Sequence, residues 1–582
     1  MQLIQMHSIS LGILLCAQAV SAQSLQQYTL VKSGDVLPGL PSGVTIERMG
    51  TPAVSKDGDI AFVAWLQGEG IITGQNDSGI WRQVDGGDFE LLARTGDQAP
   101  GVDDGLVYDI IQRPNINRYG RVAFNASLRG EGIDSSNNIG FWSDGLTPSI
   151  RLVARLGDPA PGTEPGTVFS FFGNDYALAQ TRPYFSDSGV MTLAATLSGS
   201  AVTTENDRGL WVGNAGAFAL ELRAGDSAVP PYEAYTIETV GSSQINSSND
   251  LFSYIALAGP GVDTSNNGVV IVKRGGNGWQ ALIRSGDHAP GMPSDVLLRS
   301  VHLGGITDDG RVSIHSRLIS EQYDNPGDGA NWQEMPDGQL RLTLFTDMPG
   351  PWNPDDVVIE SVASSRLGRV RTTQYSSFFE AGQGMKRCLL DIGSDGSVKL
   401  LHFQDEQAAG LDAGVLYYSF PSIGDNSVGW YFISAKLSGS GVDSTNDKGL
   451  WLCHDGMTPL LVARTGETVD LDDSPAGNDL RVISDLYTLL GSGGEDGRRR
   501  NLSDNNRLAY LLYFTDGTRA IRVAKVVCIA DVNGDGIVSP ADFSAWVAAF
   551  NAQASECDQN GDGSCTPADF SAWVANYNAG CS

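Results

Sequence analysis

Residues 528–582 carry one oxygen-rich loop twice. In the first copy Asp531, Asn533, Asp535, Ser539 and Asp542 stand at positions 1, 3, 5, 9 and 12; in the second, Asp558, Asn560, Asp562, Thr566 and Asp569 hold the same places. Gly536 and Gly563 fall at position 6, where the backbone must turn sharply, and the backbone carbonyls of Ile537 and Ser564 stand at position 7. Oxygen donors at this spacing suit a hard divalent cation, which takes about six to eight of them. Three carboxylates in so short a loop repel one another unless a cation lies between them. Two Ca2+ ions are expected, one per loop. Each loop runs into the same phrase, Phe-Ser-Ala-Trp-Val at 543–547 and at 570–574, which reads as one helix after each loop.

Position 12 is Asp where an EF-hand has Glu, and no full helix precedes either loop. A duplicated EF-hand-like loop with a single following helix resembles the type I dockerin, and the ending Asn578-Ala-Gly-Cys581 resembles the GC-type dockerin anchor of bacterial secreted proteins. The resemblance covers residues 528–582. It implies calcium-dependent folding and docking to a cohesin-like protein on a scaffold or cell surface. The positions that read the cohesin in that family are Pro540-Ala541 and Pro567-Ala568 here, and Val547-Ala548 stands where many dockerins carry Lys-Arg.

Four of the seven cysteines, Cys528, Cys557, Cys565 and Cys581, bracket these loops. A module this small cannot rely on a large core, so two disulfides are expected. Four cysteines allow three pairings; Cys557 with Cys565, and Cys528 with Cys581, is the expected set, because the second bond would tie the module's ends. Cys388 and Cys453 each follow a glycine, Gly384 and Gly449, by four residues and are expected as buried thiols.

The chain opens with an apolar run from Ile9 to Val20 that ends at Val20-Ser21-Ala22, small residues of the kind a signal peptidase reads. Residues 1–22 are therefore expected to be a signal peptide and the protein to be secreted. No later stretch approaches the roughly 18 apolar residues of a membrane span. With 38 basic and 68 acidic residues the formal charge is −30, which argues against nucleic acid and anionic membrane surfaces as partners.

Residues 23–526 must hold whatever the C-terminal module displays, and one phrase recurs through them: Lys32-Ser-Gly-Asp35, Arg94-Thr-Gly-Asp97, Arg155-Leu-Gly-Asp158, Arg223-Ala-Gly-Asp226 and Arg284-Ser-Gly-Asp287, with worn copies at Asp347, Asp405 and Arg464-Thr-Gly-Glu467. Successive acidic residues lie 58 to 68 residues apart, a spacing that marks a repeat architecture. Before each clear copy runs an apolar strand, before that a strand entered through Gly-x-Trp (Trp81, Trp142, Trp211, Trp451), and before that an alternating strand following a polar turn such as Asn117-Arg-Tyr-Gly120. Units of three or four short antiparallel strands joined by Gly/Asp/Asn turns predict an all-β chain, and a four-stranded unit repeated radially is a β-propeller blade. Eight blades are expected, with seven as the alternative. The lone strand Tyr28–Lys32 would complete a last unit, 479–527, that lacks its own final strand, and so close the ring. The Asn-x-x-Gly-x-x-Ala-Phe unit, here Asn117 to Phe124, resembles a bacterial tandem-repeat surface-protein family that brings no known activity.

Three loops repeat closely: Gly132-Ile-Asp-Ser-Ser-Asn-Asn138, Gly261-Val-Asp-Thr-Ser-Asn-Asn267 and Gly441-Val-Asp-Ser-Thr-Asn-Asp447. Their short polar side chains are expected to brace the local backbone. His288, His302, His315, His402 and His454 show no metal-binding spacing. An asymmetric site, if present, is expected in the degenerate fifth and sixth units around His315, Trp332, Trp352 and Arg366 to Arg371. The residues favour a non-catalytic propeller that binds a glycan or protein ligand; the alternative is a carbohydrate-active enzyme of polysaccharide catabolism.

Overall fold

A computed structural model describes residues 23–579, leaving aside residues 146, 174–182, 242, 326, 350–356, 363–365, 368–370, 381–383, 394, 474–476, 490–494, 535–537 and 561. The expected signal peptide, Cys581 and Trp352 lie outside the described residues, as do Asp535, Gly536 and Ile537 of the first loop. Two compact units emerge: residues 27–524, and residues 525–582 with those before 27.

Residues 27–524 form a β-propeller. Their strands fall into eight antiparallel sheets, in chain order 44–94, 107–155, 168–223, 236–284, 297–345, 357–403, 415–464 and, last, 468–528 completed by Gln23–Lys32. In that last sheet the N-terminal strand lies beside Arg519–Cys528, so the first and last parts of the unit share one sheet. The expected closing strand is thus observed.

Second strands such as Ile60–Gly68 and Val122–Arg129 are buried on both faces over most of their length, because each sheet packs between two neighbours. One apolar cluster joins Val63 and Ile80 of the first sheet to Tyr108 and Phe124 of the second; another joins Phe252 and Val270 of the fourth to Ile314 and Trp332 of the fifth. Across the closure, Leu511 and Ile521 of the last sheet pack with Ile46 and Phe62 of the first.

Gly-x-Trp has a steric origin. Trp81, Trp142, Trp211 and Trp451 are fully buried, and each ring lies so close to its own glycine that a Cβ on Gly79, Gly140, Gly209 or Gly449 would meet it at 2.9 Å or less. The indole N–H groups donate to the carbonyls of Pro38, Pro100, Pro161 and Ala409 at 2.8 to 3.1 Å, in the loop after each landmark. Pairing with the last strand shifts register immediately before the Trp in each case, so a β-bulge accompanies the motif.

The Asn of the polar turn serves as a splice between sheets. Asn117 Oδ1 accepts the N–H groups of Tyr119 and Arg121 within its own turn, and its amide donates to the Ser186 carbonyl of the next sheet. Asn246 does the same toward Thr307, and Asn426 toward Ser503. The following residue donates its N–H to the next turn's carboxylate: Arg118 to Asp187, Ser247 to Asp308, Ser427 to Asp504. At the closure Asp504 donates its N–H to the Lys56 carbonyl.

Residues 525–582 carry two helices, α1 (Pro540–Ala552) and α2 (Pro567–Ala579). Trp546, Trp573 and Cys557 form the small core, with Phe550, Cys565 and Tyr577 against it. Cys557 and Cys565 are bonded as expected, and Cys528 is disulfide-bonded. Cys388 and Cys453 are buried thiols outside any disulfide.

Candidate metal loops and central channel

The second oxygen-rich loop folds onto itself through its proposed ligands. Asp558 accepts the N–H groups of Asp562 at 3.2 Å and Gly563 at 2.8 Å, Asn560 Oδ1 accepts that of Asp562 at 2.9 Å, and Asp562 accepts that of Ser564 at 2.9 Å. Asp569, with no exposed surface, reaches back to the N–H groups of Gln559 and Asn560 at 2.9 and 3.2 Å through one oxygen and to Thr566 at 2.7 Å through the other. Burial pushes its carboxyl up, but N–H donation from Thr566, Asn560 and Gln559 outweighs that and holds it below the usual carboxylate range. Asp542, equally buried, makes the same contacts in the first loop, to Asn533 at 3.1 Å and Ser539 at 2.8 Å.

Positions 9 and 12 cap the helices. Ser539 caps α1, accepting the Ala541 N–H at 3.2 Å, and Asp542 completes the capping box; Thr566 and Asp569 repeat the arrangement at α2. The donor set is all oxygen, the chemistry a hard cation takes. Asp531, Asn533, Ser539 and Asp542 stand on one loop, and Asp558, Asn560, Asp562, Ser564, Thr566 and Asp569 on the other, but among the described residues no three acidic, histidine or cysteine side chains are grouped so as to hold a metal ion.

The repeated polar loops of the propeller are structural. Asp134 accepts the N–H and the hydroxyl of Ser136 at 2.8 and 2.6 Å, while Asn137 accepts the Asp134 N–H and donates to the Gly132 carbonyl; the loops around Asp263 and Asp443 repeat every bond. The landmark arginines clamp them from outside: Arg284 Nε donates to the Asn266 carbonyl at 2.6 Å and Arg464 Nε to the Asn446 carbonyl at 3.0 Å. Landmark acids Asp97 and Asp158 sit at junctions between consecutive sheets, where their own carbonyls accept Tyr108 and Phe169 N–H groups, and burial pushes both carboxyls up.

The fifth-unit candidates separate. Trp332 is a core residue whose indole donates to the Pro290 carbonyl at 2.8 Å, like the Trp of other sheets, so the expectation that it marks an asymmetric site is corrected. His315 is buried against Asn331 at 2.9 Å, and burial pushes it down to about 4. It stacks on His302, ring centroids 6.0 Å apart. His288 holds the Met292 carbonyl at 3.0 Å, and His402 lies between Glu406 and the Tyr431 hydroxyl, both at 3.2 Å. Of Arg366 to Arg371, residues 368–370 lie outside the described residues.

Sequence reasoning missed residues 495–501, from the connection Gly491-Ser-Gly-Gly-Glu-Asp-Gly-Arg-Arg-Arg-Asn501, which reads as an exposed loop. Glu495, Asp496, Arg499, Arg500 and Asn501 are buried. This segment runs along the innermost strands of five successive sheets: the Arg500 carbonyl accepts the Val54 N–H at 2.9 Å, the Gly497 carbonyl accepts Asn115 Nδ2 at 2.8 Å and the Phe185 N–H at 2.9 Å, the Asp496 carbonyl accepts the Ile245 N–H at 3.2 Å, and Glu495 accepts the Asp308 N–H at 3.0 Å. A Cβ at Gly497 would meet the Ile245 carbonyl oxygen at 2.9 Å and the Phe185 nitrogen at 3.0 Å, and φ there is +78°, so only glycine fits.

Lys56 lies within this cluster, paired with Asp308 and 3.9 Å from Asp187. Burial, and then the Asp308 charge, push Glu495 up to about 7. A raised folded-state value means that between the ordinary glutamate range and about pH 7 the folded chain keeps a proton that the unfolded chain has lost, so this group's contribution to stability falls as pH rises through that window. Melting temperature measured from pH 5 to 8 should therefore decline less for Glu495→Gln than for the wild-type chain; parallel profiles would refute it.

A family model matches residues 15–180 and 172–533, all eight sheets, and ends before α1. No curated protein matches the sequence significantly. Solved structures similar in fold include the β-propeller domain of the Trilobed protease from Pyrococcus furiosus (9% identity, TM-score 0.35, 72% of this chain and 99% of that one). The Dos1 propeller (9%, 0.33, 83% and 94%) and Pyrococcus horikoshii acylaminoacyl peptidase (10%, 0.32, 80% and 57%) are also similar. The extent of the family match settles the relationship: the chain belongs to the DUF7453 family, a family of unknown function.

Proposed function

We propose that this protein is a secreted β-propeller that binds a glycan or protein ligand. In this reading residues 528–582 are a dockerin-like module that takes two Ca2+ ions and holds the propeller to a cohesin-like partner on a scaffold or cell surface. One observation carries the calcium reading. Residues 526–582 hold seven acidic side chains and no Lys or Arg, and six of the seven acids lie in the two loops. Such a charge pattern in so small a fold needs a counter-charge from outside the chain.

The docking reading draws on the duplication itself. Phe543 and Phe570, and Val547 and Val574, are equivalent in the two copies, and all four are more than a third exposed. Large apolar side chains left in solvent at matching places suit a partner surface. Full-length protein presented to immobilised type I cohesin domains should be retained in calcium and released by chelator. Retention should fall at least tenfold in the doubly substituted Phe543→Ser, Phe570→Ser chain. Retention that ignores chelator, or no retention by any cohesin, would sink the docking reading.

A further inference from the structure

We propose that a cavity between the fourth and fifth sheets binds the carboxylate of an acidic sugar, a hexuronate unit of a polysaccharide or oligosaccharide. The cavity encloses about 480 Å³ and is lined by Tyr184, Gln244, Tyr254, Arg299, His302 and Arg498, among others, within the ~300–1,000 Å³ of small-ligand sites. A second recess, lined by Arg299, Ser300, His302 and Arg317, adjoins it through shared residues.

The chain carries a formal charge of −30 with only 38 basic residues, yet three guanidinium groups, Arg299, Arg317 and Arg498, gather here. Among the described residues no carboxylate lies in ion-pair range of Arg299 or Arg317; Arg498 has Asp496 at 3.4 Å. Glu238 lies at the edge, 3.4 Å from the amide of Asn267, another lining residue. Arginine offers paired donors that match a carboxylate in two places at once.

The cavity lining also holds an unmet hydrogen bond. Gln244 is 1% exposed, and among the described residues its Oε1 has no hydrogen-bond partner, while Nε2 makes a 3.5 Å contact to the Gly304 carbonyl. A buried amide left so is costly unless something supplies a donor, and a sugar hydroxyl both donates and accepts. Tyr184 and Tyr254, from the third and fourth sheets, line the cavity, with the Arg498 guanidinium over the Tyr184 ring, 5.9 Å from its centroid. Tyrosines, an amide and arginines together suit a hydroxylated, negatively charged sugar better than a simple anion.

Placement sets this cavity apart from the repeat. Arg498 belongs to the central segment, which approaches the fourth sheet at Ile245, next to Gln244, so the lining combines the repeat with a residue from outside it.

The inference rests on the propeller being the ligand-binding part of the chain, and calorimetry on the full-length protein separates the two ideas. D-galacturonate and its oligomers should bind, D-galactose should bind at least tenfold more weakly, and Arg299→Gln should weaken galacturonate at least tenfold. Arg299 is exposed, so its loss leaves folding intact; Gln244→Leu provides a second lesion, with a thermal melt as the check on folding. No binding of galacturonate or glucuronate, equal affinity for galactose, unchanged affinity in Arg299→Gln, or L-glutamate binding as tightly as the uronates would each overturn the proposal. Neutral glycans that bind regardless of these substitutions would overturn it while leaving the propeller's ligand-binding role in place.

Discussion

Excess chelator is expected to unfold residues 528–582 while the propeller keeps its melting transition. The module's core is three buried side chains, Trp546, Cys557 and Trp573, with a few partly buried neighbours, too little apolar area to hold a domain alone. Its acids meet no internal cation, since residues 526–582 contain neither Lys nor Arg. A cation present at one hundred times its dissociation constant adds about 2.7 kcal/mol per site, a large share of what so small a fold can possess. Removing it should abolish the near-ultraviolet dichroism of Trp546 and Trp573 and open α1 and α2 to protease. Calcium, not magnesium at equal concentration, should restore both signals, because these loops provide many oxygens in a flexible arrangement rather than a tight octahedron. Asp531→Ala with Asp558→Ala should reproduce the chelated state while sparing the capping boxes of Asp542 and Asp569. An unchanged spectrum and unchanged protease resistance in chelator would refute the calcium reading outright.

Loss of the N-terminal strand should be as damaging to the other unit. Gln23–Lys32 supplies the outer strand of the last sheet beside Arg519–Cys528. Its Val31 is 1% exposed within the cluster that joins last sheet to first. Tyr28 receives a hydrogen bond from Arg507, Gln27 accepts one from Tyr510 at 2.7 Å, and Lys32 pairs with Asp479 at 2.7 Å. Without these residues the strand Arg519–Cys528 becomes an open edge with unpaired backbone groups, a template for another chain. A chain beginning at residue 34 should melt at a measurably lower temperature, because the burial of Val31, worth ~1.5–3 kcal/mol, and the backbone pairing of the whole strand are lost together, and it should elute as oligomers. A synthetic peptide of residues 23–33 added in trans should recover much of both losses. A monomeric truncated chain with an unshifted melt would show that the closure contributes little.

Much of this architecture was legible because it is local and repeated. The unit length follows from the repeated landmarks, the closing strand from the complementary pieces at the two ends of the repeat series, and the bracing role of Asp134, Asp263 and Asp443 from residues within a few positions of one another. Gly-x-Trp and Asn-x-x-Gly were visible as patterns, but their causes are three-dimensional: a ring pressed on its own glycine, and an amide reaching the carbonyl of the next sheet. The central segment was illegible for a different reason. Nothing in Glu495-Asp-Gly-Arg-Arg-Arg500 predicts burial; it is buried because Val54, Asn115, Phe185, Ile245 and Asp308, up to several hundred residues away, each offer it a donor. The grouping of His302, Arg299 and Gln244 was hidden likewise, since it needs two sheets and that segment together.

That segment also changes what repetition means for this chain. Eight sheets built alike would present eight interchangeable positions about one axis, and any function would be written eight times or not at all. A single polar strip laid along five of them destroys the rotational symmetry from within. It gives Lys56, Asn115, Tyr184, Gln244 and Asp308 unlike surroundings although their strands and turns are close copies. Individual positions are thereby free to specialise while the copied scaffold around them stays constant.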